Sequence, residues 1–300
     1  MADECAEVGQ AVSPALRDAA RAQLAATLKV KTLTLAVLDA LAAVNVRPVV
    51  LKGHGLATRL FPEQPLARPM VDVDVWVRSD QVQAAEAALQ KMGLSLGAIP
   101  GVDDAFEEHH HRPWVGRAGL VELHFKLFSG FGGDVFDDAS VWARTREGTL
   151  EGRAVRWLGA EDEFLYLATH AASHVFLRIS WLVDLARYLE VEPQLDWAVI
   201  AQRARAGRAL VPLATSLRVL EATLGVQLPV GARELVSARV RHHLDPILFS
   251  KERLLEARWS TGRVAPFAMR IYLLDSRRQA AKMLLDGARR LWRQREERGG

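Results

Sequence analysis

Two aspartates separated by one residue, Asp72 and Asp74, stand among alternating valines and could together bind a metal ion. Side chains alternate across a β-strand, so this pattern predicts a strand over 71–77 with the valines on one face and Asp72, Asp74 and Trp76 on the other. Two carboxylates on one face repel each other, and hard divalent cations such as Mg²⁺ prefer carboxylate oxygens. The spacing therefore predicts a metal site, although two solvent-facing acids on an edge strand would give the same pattern.

A third acid lies in a second alternating segment, residues 120–128. Val121 and Leu123 fall on one face of this predicted strand, and Glu122, His124 and Lys126 fall on the other. We expect Glu122 to complete the acidic site. His124 faces the same side, where it could orient Glu122, contact a phosphate group or make a purely structural hydrogen bond.

Cations and a glycine turn precede the acidic strand. The short apolar run 49–51 predicts a buried strand that ends at Lys52-Gly53. Glycine has no Cβ, so the backbone N–H groups of such a turn can approach phosphate oxygens closely. Lys52 and Arg68 are the candidate cations that would pair with phosphate groups, and the Arg68 guanidinium can donate hydrogen bonds to two oxygens at once. The structural alternatives are a strand-end lysine whose stem covers apolar surface and an arginine paired with an acid of its own loop.

The elements that position these residues follow from apolar periodicity and turn residues. Helices are predicted over 14–45, 55–61 and 80–92, with Ser13 and Ser79 as caps, and strands over 49–51, 71–77, 109–115, 120–128 and 154–158. From Glu161 onward the chain is predicted to be nearly all helix, interrupted at Pro193, Gly207, 225–231 and Pro266. We therefore predict an α+β protein with a small mixed β-sheet domain and flanking helices over 1–158, followed by an α-helical domain over 159–300.

Composition narrows the class of protein. The 300 residues contain one cysteine, Cys5, which excludes an intrachain disulfide framework and makes a reducing cytoplasm the expected location. Apolar runs are too short to span a bilayer, so we expect no membrane association. A formal net charge of +3 argues against nucleic acid as a partner, and the charged tail 289–300 is expected to be a solvated helix end.

The residues so far described resemble a known family. The chain resembles the uncharacterised nucleotidyltransferase family of the DNA polymerase beta superfold. Four segments carry this resemblance: Leu51-Lys52-Gly53, Phe61-Pro62, 68–74 and Val121-Glu122-Leu123-His124. The helical residues His170, His174, Arg178, Trp181 and Asp184 also resemble that family's second half. The resemblance implies a small mixed sheet with three carboxylates, here Asp72, Asp74 and Glu122, and a glycine turn near the triphosphate, here Gly53.

The chemistry that the resemblance implies is transfer of a nucleoside monophosphate to a hydroxyl group with release of pyrophosphate, and AMP from ATP is the expected donor group. Two Mg²⁺ ions would stabilise the attacking and leaving oxygens, with Asp72 and Asp74 holding both ions and Glu122 completing one. Lys52, Arg68 and His124 would contact phosphate, and the helical half would close over the nucleotide. The acceptor, a small molecule, a peptide or a protein, is not indicated by the sequence.

Two histidines on one predicted helix invite a second metal hypothesis. His170 and His174 are one helical turn apart, a spacing that can bind zinc. The segment lacks the glutamate of a metalloprotease and an evident third ligand, so helix packing or nucleotide contact is favoured. Asp184 and Arg178 could connect the two halves of the chain or contact a base or ribose.

Two other functions fit the same residues. A catalytically silent module could keep the fold as an interaction surface, as in a toxin and antitoxin pair, and it would need no metal-dependent nucleotide affinity. A phosphoryltransferase would move the γ-phosphate instead of the nucleoside monophosphate. Only the products, ADP or pyrophosphate, distinguish that reaction from nucleotidyl transfer.

Overall fold

The computed structural model describes residues 13–97, 110–131, 133–237, 245–256, 264–276, 278–281 and 284–285. The chain divides into two compact units. The first comprises Met1–Gly97, Arg112–Phe125 and Glu147–Arg156, and the second comprises Ala98–His111, Lys126–Arg146 and Trp157–Gly300. The division of the chain into domains at residue 158 remains a prediction from the sequence.

The described part of the chain contains twelve α-helices with defined bounds and nine strands, and further helical residues lie at 278–281 and 284–285. The helices are α1 Pro14–Ala42, α2 Gly53–Leu60, α3 Val82–Lys91, α4 Asp138–Ala143, α5 Ala160–Ser173, α6 Ile179–Val191, α7 Trp197–Ala206, α8 Leu210–Leu224, α9 Val230–Ser237, α10 Asp245–Leu248, α11 Lys251–Glu256 and α12 Val264–Tyr272. The strands are β1 Val49–Val50, β2 Val73–Trp76, β3 Ser95–Leu96, β4 His111–Gly116, β5 Gly119–His124, β6 Ser129–Gly130, β7 Gly133–Asp134, β8 Arg146–Leu150 and β9 Arg153–Trp157. Short 3₁₀ turns lie at Pro65–Ala67 and Ser79–Gln81.

A seven-stranded mixed sheet with the order β3-β4-β5-β2-β1-β9-β8 is the frame of the first unit. Strand β2 runs parallel to β5 and antiparallel to β1, and β1 runs parallel to β9. This arrangement, with its flanking helices, confirms the predicted α+β class. Strand β8 was not predicted, because it is an edge strand and its mostly exposed residues carry no apolar alternation.

The apolar face of the sheet packs against α1 and α3. Val73, Val75 and Val77 belong to one buried cluster with Val121 and Leu123 of the neighbouring strand. The helices contribute Val30, Leu33, Val37, Leu41, Ala85, Ala88 and Leu89 to that cluster. Because alternate side chains of a strand point to opposite faces, this packing directs Asp74 and Glu122 to the other side of the sheet.

Three helix ends test the predicted helix caps at Ser13 and Ser79 and the predicted helix break at Pro266. Ser13 does cap α1, since the backbone N–H of Leu16 donates to its Oγ at 3.2 Å. The cap predicted at Ser79 is wrong, because a 3₁₀ turn intervenes and α3 begins after Gln81, which makes no capping bond. The interruption predicted at Pro266 is also wrong. Helix α12 begins at Val264, and proline is tolerated in a first helical turn, where N–H groups lack intrahelical acceptors.

The second unit is largely helical, and several of its polar bonds end on buried carboxylates. The Arg144 guanidinium donates to both carboxylate oxygens of Asp162 at 2.9 and 3.1 Å, and Arg203 approaches the same carboxylate at 3.0 Å. The Tyr188 hydroxyl donates to Glu163 at 2.9 Å. Within the described residues, no helix combines the length and apolar character that crossing a membrane requires.

Candidate active site

Parallel pairing of β2 with β5 places Asp74 directly beside Glu122. The register aligns Val73 with Val121, Asp74 with Glu122, and Trp76 with His124. Partners in a parallel pair point to the same face, so both carboxylates lie on the face opposite the valine core. The Asp74 side chain is 1% exposed and that of Glu122 is 14% exposed. Two acids in this position need compensating cations.

His124 provides one of these compensating groups. Its Nε2 lies 3.3 Å from Asp74 Oδ1 and 3.8 Å from Glu122 Oε2. Burial of the imidazole opposes protonation, but the bonds to both carboxylates outweigh it, and the pKa of His124 is raised. Burial likewise opposes ionisation of Glu122, yet His124 and the charge of Lys52 lower the pKa of Glu122 to about 2.

Lys52 provides a second cation. Its Nζ lies 3.0 Å from Asp74 Oδ1, and the lysine side chain is 10% exposed. The backbone brings the two residues together, because Leu51, the residue before Lys52, donates its N–H to the Asp74 carbonyl at 3.2 Å. Lys52 is therefore ion-paired with Asp74 and not merely lying along apolar surface.

Gly53 forms the predicted turn at the start of α2. Its φ of +58° lies in the left-handed region, which favours glycine. A Cβ at this position would lie 3.4 Å from the Asp72 carbonyl oxygen, so the turn passes close to the start of the acidic strand. Arg68, the other predicted phosphate cation, is buried and donates to the Pro69 carbonyl at 3.5 Å. Phosphate binding by Gly53, Lys52 and Arg68 stays a prediction.

Asp72 differs from Asp74 in its placement. Strand β2 begins at Val73, so Asp72 and the 49% exposed Val71 precede the strand. Three side chains, those of Asp74, Glu122 and His124, bring ligand atoms within 4.8 Å of one another, and Asp72 is outside this group. The role of Asp72 in metal binding stays a prediction.

The residues present fit a divalent cation. The group of Asp74, Glu122 and His124 offers two carboxylates and one imidazole. Oδ2 of Asp74 is buried and has no hydrogen-bond partner in the described residues, which is costly for a carboxylate oxygen and would be relieved by a bound cation.

A second polar cluster was not predicted from the sequence. Nε2 of the buried His54 lies 2.8 Å from Glu151 Oε1, and Lys31 Nζ lies 2.7 Å from the same oxygen. Nearby, Arg153 donates to both carboxylate oxygens of Asp39 at 2.7 and 2.8 Å. These pairs join residues at least 97 positions apart in the sequence, so no local pattern could have indicated them.

The histidines of the second unit pack with aromatic rings. The ring centroids of His170 and His174 are 4.7 Å apart, and each lies within 5.3 Å of the Trp181 ring centroid. The guanidinium of Arg178 lies 5.7 Å from the centre of the Trp181 ring. This packing agrees with the helix-packing interpretation of His170 and His174. Asp184 is buried, and its role stays a prediction.

Comparison with family models identifies the class of this protein as a nucleotidyltransferase. The model described as "uncharacterised nucleotidyltransferase" matches residues 3–225. The chain belongs to that family, which confirms both the resemblance noted in the sequence and the prediction of an enzyme of this class. A search of curated proteins found no match.

Two solved structures of the antibiotic-resistance factor ANT(2'')-Ia are similar to this chain. The alignment with the solution structure has 14% sequence identity and a TM-score of 0.41. It covers 59% of this chain and 88% of the ANT(2'')-Ia chain. The crystal structure is of a complex with adenylyl-2''-tobramycin. Its alignment has 14% sequence identity and a TM-score of 0.43, and it covers 59% of this chain and 95% of the ANT(2'')-Ia chain.

Proposed function

We propose that this enzyme transfers a nucleoside monophosphate, AMP from ATP, to a hydroxyl group of a small molecule, peptide or protein, with release of pyrophosphate. The reaction depends on a divalent metal, in the simplest case two Mg²⁺ ions held by Asp72, Asp74 and Glu122. The observation that carries the proposal is the alignment of Asp74 with Glu122 on adjacent parallel strands, next to the Lys52-Gly53 turn.

The buried carboxylates support a metal-dependent reaction better than a structural role. A buried acid that served structure alone would have its oxygens satisfied by donors, whereas Asp74 Oδ2 has no hydrogen-bond partner in the described residues. The bound cation would supply Lewis-acid stabilisation of the phosphoryl oxygens and lower the pKa of the acceptor hydroxyl.

The chain's own residues have separate tasks in this proposal. Lys52 lies against Asp74 and is close enough to the acidic pair to balance the charge of an incoming triphosphate. Arg68, buried after the 3₁₀ turn at Pro65–Ala67, adds a second fixed cation. The Gly53 turn offers backbone N–H groups, and His124 holds the two carboxylates in a fixed orientation.

Transfer of radiolabel tests the proposed reaction while the acceptor is still unidentified. The enzyme is incubated with a metabolite extract, Mg²⁺ or Mn²⁺, and ATP labelled in either the α- or the γ-phosphate. Nucleotidyl transfer places the α-label in a new product and releases the γ-label in pyrophosphate. Label from the γ-position in the acceptor, together with ADP, would instead establish phosphoryl transfer.

Matched variants exclude contaminating activity. Asp74→Asn keeps the size of the side chain and removes its charge, so we expect α-label transfer to fall at least about a hundredfold. Asp39→Asn changes an exposed acid that is paired with Arg153, and we expect it to leave transfer unchanged. Equal transfer by wild type and Asp74→Asn would remove the proposal. A folded wild-type protein that neither binds metal–nucleotide nor transfers label would favour the silent binding module.

The expected setting of the reaction is the cytoplasm, where ATP and Mg²⁺ are abundant. The partners in this proposal are a nucleotide and a hydroxyl-bearing acceptor, with no role for nucleic acid or membrane. The charged tail 289–300, on which a nucleic-acid role would have depended, lies outside the described residues.

A further inference from the structure

The candidate cation site includes a nitrogen donor beside its two carboxylates. Carboxylates alone are the donor set suited to Mg²⁺, which prefers hard oxygen ligands. One group of three side chains with mutually close ligand atoms in the described residues consists of Asp74, Glu122 and His124, and the third is an imidazole. Its Nε2 is the atom that faces both carboxylates, at 3.3 and 3.8 Å.

The backbone fixes His124 in this position. His124 is aligned with Trp76 in the parallel ladder, and its carbonyl oxygen accepts a hydrogen bond from Val77 N–H at 3.1 Å. The imidazole is 2% exposed, so it has little freedom to turn away from the acids. A divalent cation held by Asp74 and Glu122 would therefore replace the proton through which Nε2 now contacts the carboxylates, and that proton would be released to solvent.

We propose that His124 is a metal ligand and that the site prefers a first-row transition-metal cation, Mn²⁺, over Mg²⁺. The proposal rests on the proposed function only for the presence of a catalytic cation next to Asp74. The chemical basis is the donor set. Imidazole nitrogen binds first-row transition metals and is a poor ligand for Mg²⁺, and affinity for a given nitrogen- and oxygen-containing site rises along that row from Mn²⁺ to Cu²⁺. Even Mn²⁺, which is the weakest binder of the row and is also suited to carboxylate oxygen, should therefore be preferred to Mg²⁺ here.

Pulsed electron paramagnetic resonance of bound Mn²⁺ tests the ligand directly, without an activity measurement. The full chain is loaded with Mn²⁺ in the presence and absence of ATP, and the electron spin-echo modulation from ¹⁴N is recorded. A second sample contains ¹⁵N-labelled histidine, which separates imidazole nitrogen from any nitrogen of the nucleotide. We expect ¹⁴N modulation in the unlabelled protein and its replacement by ¹⁵N coupling in the labelled protein.

Two glutamine variants assign the nitrogen to a residue. His124→Gln should abolish the histidine coupling and lower the ratio of Mn²⁺ to Mg²⁺ affinity at least about fivefold, since the imidazole ligand is lost. His170→Gln, which alters a partly exposed histidine of the second unit, should leave both quantities unchanged. Circular dichroism of each variant reports whether it is folded. If His124→Gln does not fold, the absence of histidine coupling in the wild type would still overturn the assignment, because that result needs no variant.

The outcomes separate this inference from the proposed function. Bound Mn²⁺ with no histidine coupling, or no Mn²⁺ binding with or without nucleotide, would overturn the assignment of His124 as a ligand. Bound Mn²⁺ with no histidine coupling would leave nucleotidyl transfer standing if α-label is still transferred. Histidine coupling in a protein that transfers no label would retain the metal site and remove the reaction.

Discussion

Removing the Lys52 charge should destabilise the first unit far more than removing a comparable charge at the surface. In Lys52→Met, the ammonium group 3.0 Å from Asp74 Oδ1 is replaced by an apolar group of similar length. At an effective dielectric constant of about 20, unit charges at this distance attract each other by roughly 5 kcal/mol, part of which offsets desolvation. Breaking one side of a buried ion pair costs about 3–5 kcal/mol.

The chain contains a matched control for this substitution. Lys31 makes an ion pair of nearly the same length with Glu151, at 2.7 Å, but both side chains are about one-third exposed. Exposed pairs contribute about 0.2–1 kcal/mol, so Lys31→Met should cost less than about 1 kcal/mol. The assay is urea denaturation of both variants and the wild type, without metal, with the free energy of unfolding compared at one pH.

A double variant identifies the cause of the expected loss. Lys52→Met combined with Asp74→Asn removes both charges, so it should recover at least about half of the stability lost in Lys52→Met alone. Saturating Mn²⁺ should also restore stability to Lys52→Met, because the cation replaces the missing charge next to Asp74. Equal costs for Lys52→Met and Lys31→Met, or no recovery in the double variant, would refute the assignment of Lys52 as the counter-charge of Asp74.

Two further predictions concern Glu122 and Gly53. The folded-state pKa of Glu122 is about 2 against an ordinary 4.5, so its contribution is present above about pH 4.5 and is lost as the pH falls towards 2. This loss should total about 3 kcal/mol in the wild type, and Glu122→Gln should show a correspondingly shallower acid unfolding curve between pH 5 and 2. Identical curves would contradict the lowered pKa. Gly53→Ala forces a left-handed φ on alanine and should cost about 1–2 kcal/mol, whereas alanine in place of Gly133, which has no such φ, serves as the control. Unchanged stability in Gly53→Ala would show that the turn adopts another conformation.

Much of the fold was predictable because its signals are local. The alternating valines of β2 and the alternating residues of β5 indicated both strands and the faces of Asp74 and Glu122. The periodic apolar residues of α1 indicated the helix that covers the opposite face. Strand β8 was missed because an exposed edge strand needs no apolar alternation. Backbone pairing with β9 holds this strand in the sheet.

The details of the site were less predictable because they depend on long-range contacts. The sequence placed Asp72 and Asp74 on the same face of one strand, but β2 begins between them, and of the two aspartates only Asp74 is buried and belongs to the ligand group. The pairing of Lys52 with Asp74 requires the antiparallel register of β1 and β2, which no local pattern specifies. His54, adjacent to Gly53, is bound to Glu151 across 97 positions, a contact that only the folded chain creates.

Calorimetric titration with ATP tests, without an acceptor, whether the Asp74–Glu122 site binds a metal–nucleotide complex. We expect the wild type to bind ATP in the presence of Mg²⁺ or Mn²⁺ and not in the presence of a chelator. Asp74→Asn and Glu122→Gln should lose this binding, and Asp39→Asn should retain it. Nucleotide affinity that is independent of metal, or that survives in the folded Asp74→Asn variant, would contradict the account.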